Sequence, residues 1–229
     1  MGRRGARATA SAIVLFVLVV VLTVPFALLG SSAERVVTLL LVNMTAVIGF
    51  SIYTGNSGIL TVGHVGFFAV GAYTTGLLTV PVALKASFLK HLPDFLAPIQ
   101  MGLPASLMVV AAVCLVLGFL TGLPISRLRG TSAIVATFGL LVIAYYVIVG
   151  ATNITNGTKG FYGIPDLVTL PIIYGFLALV IAAAFLFKES PWGLQLRAFQ
   201  DNEVAAAASG IRINRRLLQA WTLSAVVLG

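Results

Sequence analysis

Apolar residues run through this chain in long unbroken blocks, and the polar positions fall in the gaps between them. Ala12–Leu29, Val36–Tyr53, Pro104–Ile125, Ala133–Gly150 and Leu167–Phe187 each read as a membrane-spanning helix, since roughly 20 apolar residues cross the hydrocarbon core. Asn43 and Thr45 are the polar members of the second block. Between the second and fourth spans lies Thr54–Leu84, an apolar stretch punctuated by Gly55, Gly58, Gly63, Gly66, Gly71 and Gly76. Lys85–Leu103 and Ala151–Asp166 read as loops. Leu217–Gly229 begins a seventh span that is too short to cross at 1.5 Å per residue, so the chain reads as truncated within that span.

One gap is different. Ser190–Arg216, SPWGLQLRAFQDNEVAAAASGIRINRR, is long and polar yet carries helix punctuation. Ser190 followed by Pro191 is a helix start. Asp201 and Glu203 open an alanine run, Gly210 closes it, and Arg212, Arg215 and Arg216 follow, an order that suits a short helix and its dipole. Arg197 and Asp201 have the i,i+4 spacing of a weak surface pair. Val204, Ala207, Ala208 and Ile211 can share one face, a shallow ridge fit for a groove on another protein. A helix resting on lipid would carry larger apolar anchors and basic residues within the helix.

Composition agrees with the span pattern: 59% of residues are hydrophobic, 9% are charged and the mean hydropathy is +1.08. A water-soluble domain of this makeup would lack polar surface. The fold class expected is therefore an all-α, polytopic transmembrane bundle, a single domain over residues 1–229, with 190–216 as a segment within it. The net charge of +8 speaks for lipid headgroups and orientation rather than nucleic acid, because the cations sit between spans. With a cytoplasmic N-terminus, Arg3, Arg4, Arg7, Arg127, Arg129, Lys188, Arg197, Arg212, Arg215 and Arg216 fall inside. Arg35, Lys85, Lys90 and Lys159 complete the 14 Lys and Arg outside. That bias places 190–216 in the cytoplasm and requires Thr54–Leu84 to cross once. Arg3, Arg4 and Arg7 before an apolar run also resemble a signal peptide. The run is longer than an h-region of about 7–15 residues, which favours an uncleaved first span.

Candidate chemistry narrows the function further. There is no nucleotide-binding loop, no HExxH, no CxxC and no metal cluster, and the lone Cys114 forms no disulfide framework. No catalytic residue and no cofactor is expected. No Asp or Glu lies within a span, which argues against a carrier driven by protons or cations through buried acids. Energy for uphill movement would have to come from a partner. In Gly55–Leu78, clustered glycines permit an unwound turn whose free N–H and C=O groups can hold a zwitterion without a formal charge in the wall. Asn56, Ser57, Thr61, Gly63, His64 and Gly66 are the candidate solute-path residues there. Helix packing alone is the other reading of the glycines, and His64 is open between a functional group and a neutral core histidine. Gly118 and Gly122 form a GxxxG pair suited to close packing. Asn153 and Asn156 head N-x-T sequons, and the surrounding loop reads as a connector or as a contact for an external partner.

With those residues on the page, the chain resembles the permease subunits of ABC importers for branched-chain amino acids, in the branch that includes urea and short-chain amide permeases. Gly63-His64, Phe67-Phe68 and Gly71-Ala72-Tyr73 match the family's Gly-rich run. Arg127-Leu128-Arg129-Gly130 matches a second segment. Ser190-Pro191-Trp192-Gly193, Leu196-Arg197-Ala198, Glu203, Ala205-Ala206 and Gly210-Ile211 match a third. The resemblance implies that Arg197, Asp201, Glu203, Ala205, Ala206 and Gly210 belong to a coupling element docking on an ATP-binding subunit. It implies a second permease subunit, an extracytoplasmic solute-binding protein, and a bacterial or archaeal plasma membrane. Ala207, Gln200 and Lys159 depart from the family's usual residues. A self-sufficient channel or facilitator for a small neutral solute such as urea is the alternative from another class.

Overall fold

The computed structural model describes residues 2–88, 92–93, 96–161, 163 and 168–229, and among them it is helical with no strand. Lys90, His91 and Asp94 of the expected outer loop, and Tyr162, Pro165, Asp166 and Leu167 before the sixth span, lie outside the described residues. The helices are α1 (Gly2–Ala27), α2 (Ser31–Ser57), α3 (His64–Thr79), α4 (Val82–Phe88), α5 (Leu103–Ile125) and α6 (Gly130–Gly150). They continue with α7 (Thr152–Thr155), a 3-10 turn (Gly157–Lys159), α8 (Leu170–Glu189), α9 (Pro191–Asp201), α10 (Glu203–Ala208) and α11 (Ile213–Leu228). Five stretches are long and apolar enough to cross a membrane: Ala10–Ala27, Ser31–Ser57, Leu103–Ile125, Gly130–Gly150 and Leu170–Glu189. The expected five long blocks are all present.

Boundaries moved where local chemistry outweighs hydropathy. α2 begins at Ser31, earlier than Val36, and takes Glu34 into its first turn, where an acid suits the dipole. It runs on past Tyr53 to Ser57 and stops at Gly58, whose φ of 68° gives a left-handed cap. The expected loop after Leu84 instead contains α4, which places Lys85 in a helical turn. Lys85 is buried there and its Nζ donates to the carbonyl of Ile99.

Consecutive helices alternate in direction. Leu78 at the end of α3 accepts from Met101 N just before α5. Thr23 near the end of α1 meets Tyr174 near the start of α8 at 2.7 Å, so these two run antiparallel. One end of the bundle therefore gathers Ser57–Gly58, Ser126–Arg129 and the whole of α9 and α10. α3, with 16 residues, runs from that end to the opposite one.

Two apolar clusters hold the bundle. Val19, Val37, Leu41, Ile173, Leu177 and Ile181 join α1, α2 and α8. The larger cluster is centred on α11, where Leu217, Ala220, Trp221 and Ala225 are all but fully buried. α11 is enclosed by α2, α3 and α5, and small residues make the approach possible. A β-carbon at Gly118 would stand 2.8 Å from Ala225 Cβ, and one at Gly122 would stand 2.7 Å from both Leu218 Cδ1 and Trp221 Cδ1. The GxxxG pair is thus the seat of α11 on α5, as van der Waals packing in a bilayer favours. Ser224 Oγ adds a cross-helix bond, donating to the Gly49 carbonyl at 2.8 Å.

Candidate functional site

The polar segment folds as two short helices joined at a corner. Ser190 caps α9, its Oγ accepting from Gly193 N at 3.2 Å, with Pro191 at the first helical position. Gly193 is required for a tight turn out of α8: a β-carbon there would lie 2.3 Å from the Phe187 carbonyl oxygen. α9 ends at Asp201, and Asn202 caps α10 by accepting from Ala205 N at 2.9 Å. At the far end Gly210 takes φ 78°. Gly210 N donates to Ala207 O and Ile211 N to Ala206 O, the two bonds of a Schellman stop.

This pair is locked to the rest of the end face by one arginine that sequence reasoning did not single out as functional. Arg129, in the α5–α6 connection, donates from Nε to Glu203 Oε1 at 2.8 Å and from Nη2 to Asn214 Oδ1 at 2.5 Å. Its Nη1 donates to the carbonyls of Ser126 and Leu128. The guanidinium also lies over the Phe199 ring, 5.4 Å from its centroid. Four elements therefore meet on one side chain: the α5–α6 loop, α9, α10 and α11. Its planar fork of donors makes this possible where a lysine could not.

The six expected docking residues do not all face outward. Asp201, Glu203, Ala205 and Gly210 are exposed. Ala206 is turned into the protein, 4% exposed, and belongs to the cluster around Trp221. It anchors α10 from beneath. Arg197 does not take Asp201 as its partner. It reaches back over the α8–α9 corner, donating to the Lys188 carbonyl at 2.7 Å, with Glu189 Oε1 at 3.8 Å. The corner brings that carboxylate and carbonyl closer than the next turn of α9 brings Asp201. Of the expected ridge, Val204, Ala207 and Ala208 are exposed, while Ile211 is half-buried against the protein's own core.

The break in the Gly-rich stretch is real and lies directly beside α9. Residues 58–63 are non-helical between α2 and α3. A β-carbon at Gly58 would stand 2.8 Å from Gln200 Cγ. A cleft of about 410 Å³ opens where the break, the start of α6 and the α9–α10 corner converge, lined by Ser57, Ile59, Ile134, Phe199, Asp201 and Glu203 among others. The two groups of candidate residues, separate in the sequence, are neighbours in space.

Of the six solute-path residues, Thr61 and Gly63 lie in the break, Asn56 and Ser57 in the last turn of α2, and His64 and Gly66 in the first turn of α3. Asn56 Nδ2 and Ser57 Oγ donate back to the carbonyls of Ile52 and Tyr53 on their own helix. Thr61 Oγ1 and His64 Nδ1 are 2.7 Å apart. Gly63 lies against the Thr137 carbonyl and Gly66 against Ala144, which is how α3 approaches α6. His64 is 1% exposed and surrounded by rings, with centroids 4.2 Å to Trp221, 5.3 Å to Tyr53, 5.5 Å to Phe50 and 6.0 Å to Phe67. Its Nε2 has no hydrogen-bond partner, nor has the Tyr53 hydroxyl. The ring is buried as a core histidine would be, with Thr61 rather than a carbonyl at Nδ1. Among the described residues no group of His, Cys, Asp and Glu could hold a metal ion.

The protein is a multi-pass helical membrane bundle with a capped helix pair clamped to one end, and comparison with known proteins gives its class. Residues 32–229 match the family model described as the branched-chain amino acid transport system permease component. The chain belongs to that family of ABC-transporter permeases, whose members are transport subunits rather than enzymes in themselves. It is 27% identical over 250 residues to the high-affinity branched-chain amino acid transport system permease protein LivM of Escherichia coli K12, covering 93% of this chain and 54% of that protein. It is also 31% identical over 133 residues to the galactose/methyl galactoside import permease protein MglC of the same organism, covering 52% of this chain and 39% of the relative. The autoinducer 2 import system permease protein LsrC of Yersinia pseudotuberculosis is 32% identical over 165 residues, 67% of this chain and 42% of that protein. The chain spans about half the length of the LivM proteins it matches. No solved structure matches it.

Proposed function

We propose that this chain is the membrane-spanning permease part of an ABC importer, with its N-terminus and the α9–α10 pair on the cytoplasmic side. A separate ATP-binding subunit docks there, a second permease subunit completes the pathway, and an extracytoplasmic solute-binding protein delivers cargo to the opposite face. The membrane is the plasma membrane of a bacterium or archaeon. The observation that carries this reading is the contact between the α9–α10 corner and the Gly58–Gly63 break. A partner pushing on Glu203–Gly210 moves Gln200, and Gln200 bears on Gly58, where α2 ends and the break before α3 begins.

The solute is a branched-chain amino acid or a related small neutral molecule. The LivM relatives favour the amino acids, and the spans carry acids only at their ends, Glu34 and Glu189, which suits an electrically neutral solute held by helix-end N–H and C=O groups. The galactoside and autoinducer permeases among the relatives widen the chemical class that has to be tested. Arg197, Asp201, Glu203, Ala205 and Gly210 form the docking surface, with Ala206 as its inward anchor. Asn56, Ser57, Thr61, Gly63, His64 and Gly66 line the solute path when the break opens.

The test is flux through the complete permease in vesicles, with and without its ATP-binding subunit and ATP. Uptake of labelled leucine that depends on both is expected. Passive uptake at full rate without the ATPase would replace this reading with a self-sufficient facilitator.

A further inference from the structure

Arg212, Arg215 and Arg216 share a cleft of about 260 Å³ with Gln195 and Ser209, and no carboxylate lines it. Arg216 is held by neutral groups alone: Nε donates to Gln195 Oε1 at 2.5 Å, Nη1 to Gln219 Oε1 at 2.9 Å, and the guanidinium lies over the Trp192 ring at 5.8 Å. The ion pairs found among the described residues use Arg129 and Arg197 and leave these three arginines without a counter-charge. Their position adds to the imbalance. They flank the first turn of α11, which contains no acid and carries the positive end of the helix dipole.

The cleft also lies at a defined depth. The α8 span ends at Glu189, immediately before α9, and α11 enters the bundle just past Arg212. Trp192, beneath Arg216 and 47% exposed, is the residue type that settles at the headgroup level. A cationic cleft at that depth, with an exposed apolar rim, meets a lipid before it meets a soluble anion.

We propose that this cleft binds the phosphate of an anionic phospholipid from the leaflet on the α9–α10 side. The guanidinium forks of Arg212 and Arg215 supply paired donors to the phosphate oxygens. The Gln195 amide, whose oxygen is already engaged by Arg216, has its NH2 left to donate. The acyl chains run past the exposed Trp192 ring. The proposal rests on the membrane placement of the bundle and is independent of which solute is carried.

The experiment measures lipid retention by the intact permease, purified in detergent and examined by native mass spectrometry. Phosphatidylglycerol is compared with phosphatidylcholine of the same chain length. A preference for phosphatidylglycerol on the order of tenfold is expected, shrinking as salt is raised. The triple variant Arg212→Gln, Arg215→Gln, Arg216→Gln should lose it, while removal of as many cations elsewhere (Arg35→Gln, Arg127→Gln, Lys159→Gln) should retain it. If the triple variant does not fold, Arg215→Gln alone, at an exposed position, should lower the preference by a few-fold. Equal retention of both lipids by the unaltered protein would overturn the proposal. So would binding of inorganic phosphate alone as tightly as the lipid, which would make this a site for free anions. Unchanged phosphatidylglycerol retention by the triple variant, with loss of ATPase association, would overturn it by assigning the arginines to the protein partner.

Discussion

Arg129 and Glu203 stand 74 residues apart in the chain and 2.8 Å apart in space, side by side across the end of the bundle. With side chains 29% and 49% exposed, this pair is worth about 0–1 kcal/mol to stability, far too little to explain the fold. Its importance is positional, because it fixes the angle at which α10 leaves the surface. Arg129→Gln should leave the protein folded, with the melting temperature within a few degrees of the unaltered protein. It should lower ATPase stimulation by the permease several-fold. Glu203→Lys should do the same and reduce co-purification of the ATP-binding subunit. The swap Arg129→Glu with Glu203→Arg should recover part of both, measured by pull-down and phosphate release. Unchanged coupling in both single variants would show that the pair is ornamental.

Gly58 bears on Gln200 through a contact that admits no side chain. Gly58→Ala combines a strained positive φ with displacement of Gln200, and should cost about 1–3 kcal/mol. The more telling effect is on coupling. ATP hydrolysis should continue while uptake per ATP falls, read by measuring both rates on one vesicle preparation. Restoration of uptake by Gln200→Ala in the Gly58→Ala background would identify the contact as the cause.

His64 tests the solute path. His64→Ala would leave a void among Phe50, Tyr53, Phe67 and Trp221 and confuse packing with function, at about 2–4 kcal/mol for a buried ring. His64→Phe keeps a ring there. It should assemble with the ATP-binding subunit normally yet lose most leucine uptake, because Nδ1 and Nε2 are gone. Uptake by His64→Phe at the unaltered rate would make His64 a packing residue.

Gly122 and Gly139 separate close packing from mere composition. Alanine at Gly122 meets Leu218 and Trp221 at 2.7 Å, whereas at Gly139 nothing lies within 4 Å. Gly122→Ala should therefore cost about 1–3 kcal/mol and lower the melting temperature in detergent. Gly139→Ala should leave it unchanged or slightly raised.

Features that depend on neighbouring residues could be read from the chain alone. The long spans follow from hydropathy, and the stops at Ser190-Pro191 and Gly210 follow from capping chemistry within a few residues. The break around Thr61 was visible because glycine clusters act locally. What lay beyond reach depends on partners far along the chain. Arg129 looked like one more cation at a span end until α10 and α11 brought Glu203 and Asn214 to it. Ala206 looked like its exposed neighbours because all are alanines, and only its burial in the core cluster distinguishes it. The Arg197–Asp201 pair had suitable spacing, but the sharp turn at Gly193 offered Arg197 nearer acceptors.

α11 is the most enclosed of the long helices, yet it comes later in the chain than α2, α3 and α5, which surround it. In the folded protein α11 fills a slot between those three, with Gly49 against Val227, Gly118 against Ala225 and Gly122 against Leu218 and Trp221. Their final arrangement waits for Trp221 and Ala225 to arrive. α9 and α10 precede α11 by a few residues, so they emerge just before that slot is filled. A chain that failed to seat α11 would therefore also lose part of the core cluster into which Ala206 anchors α10.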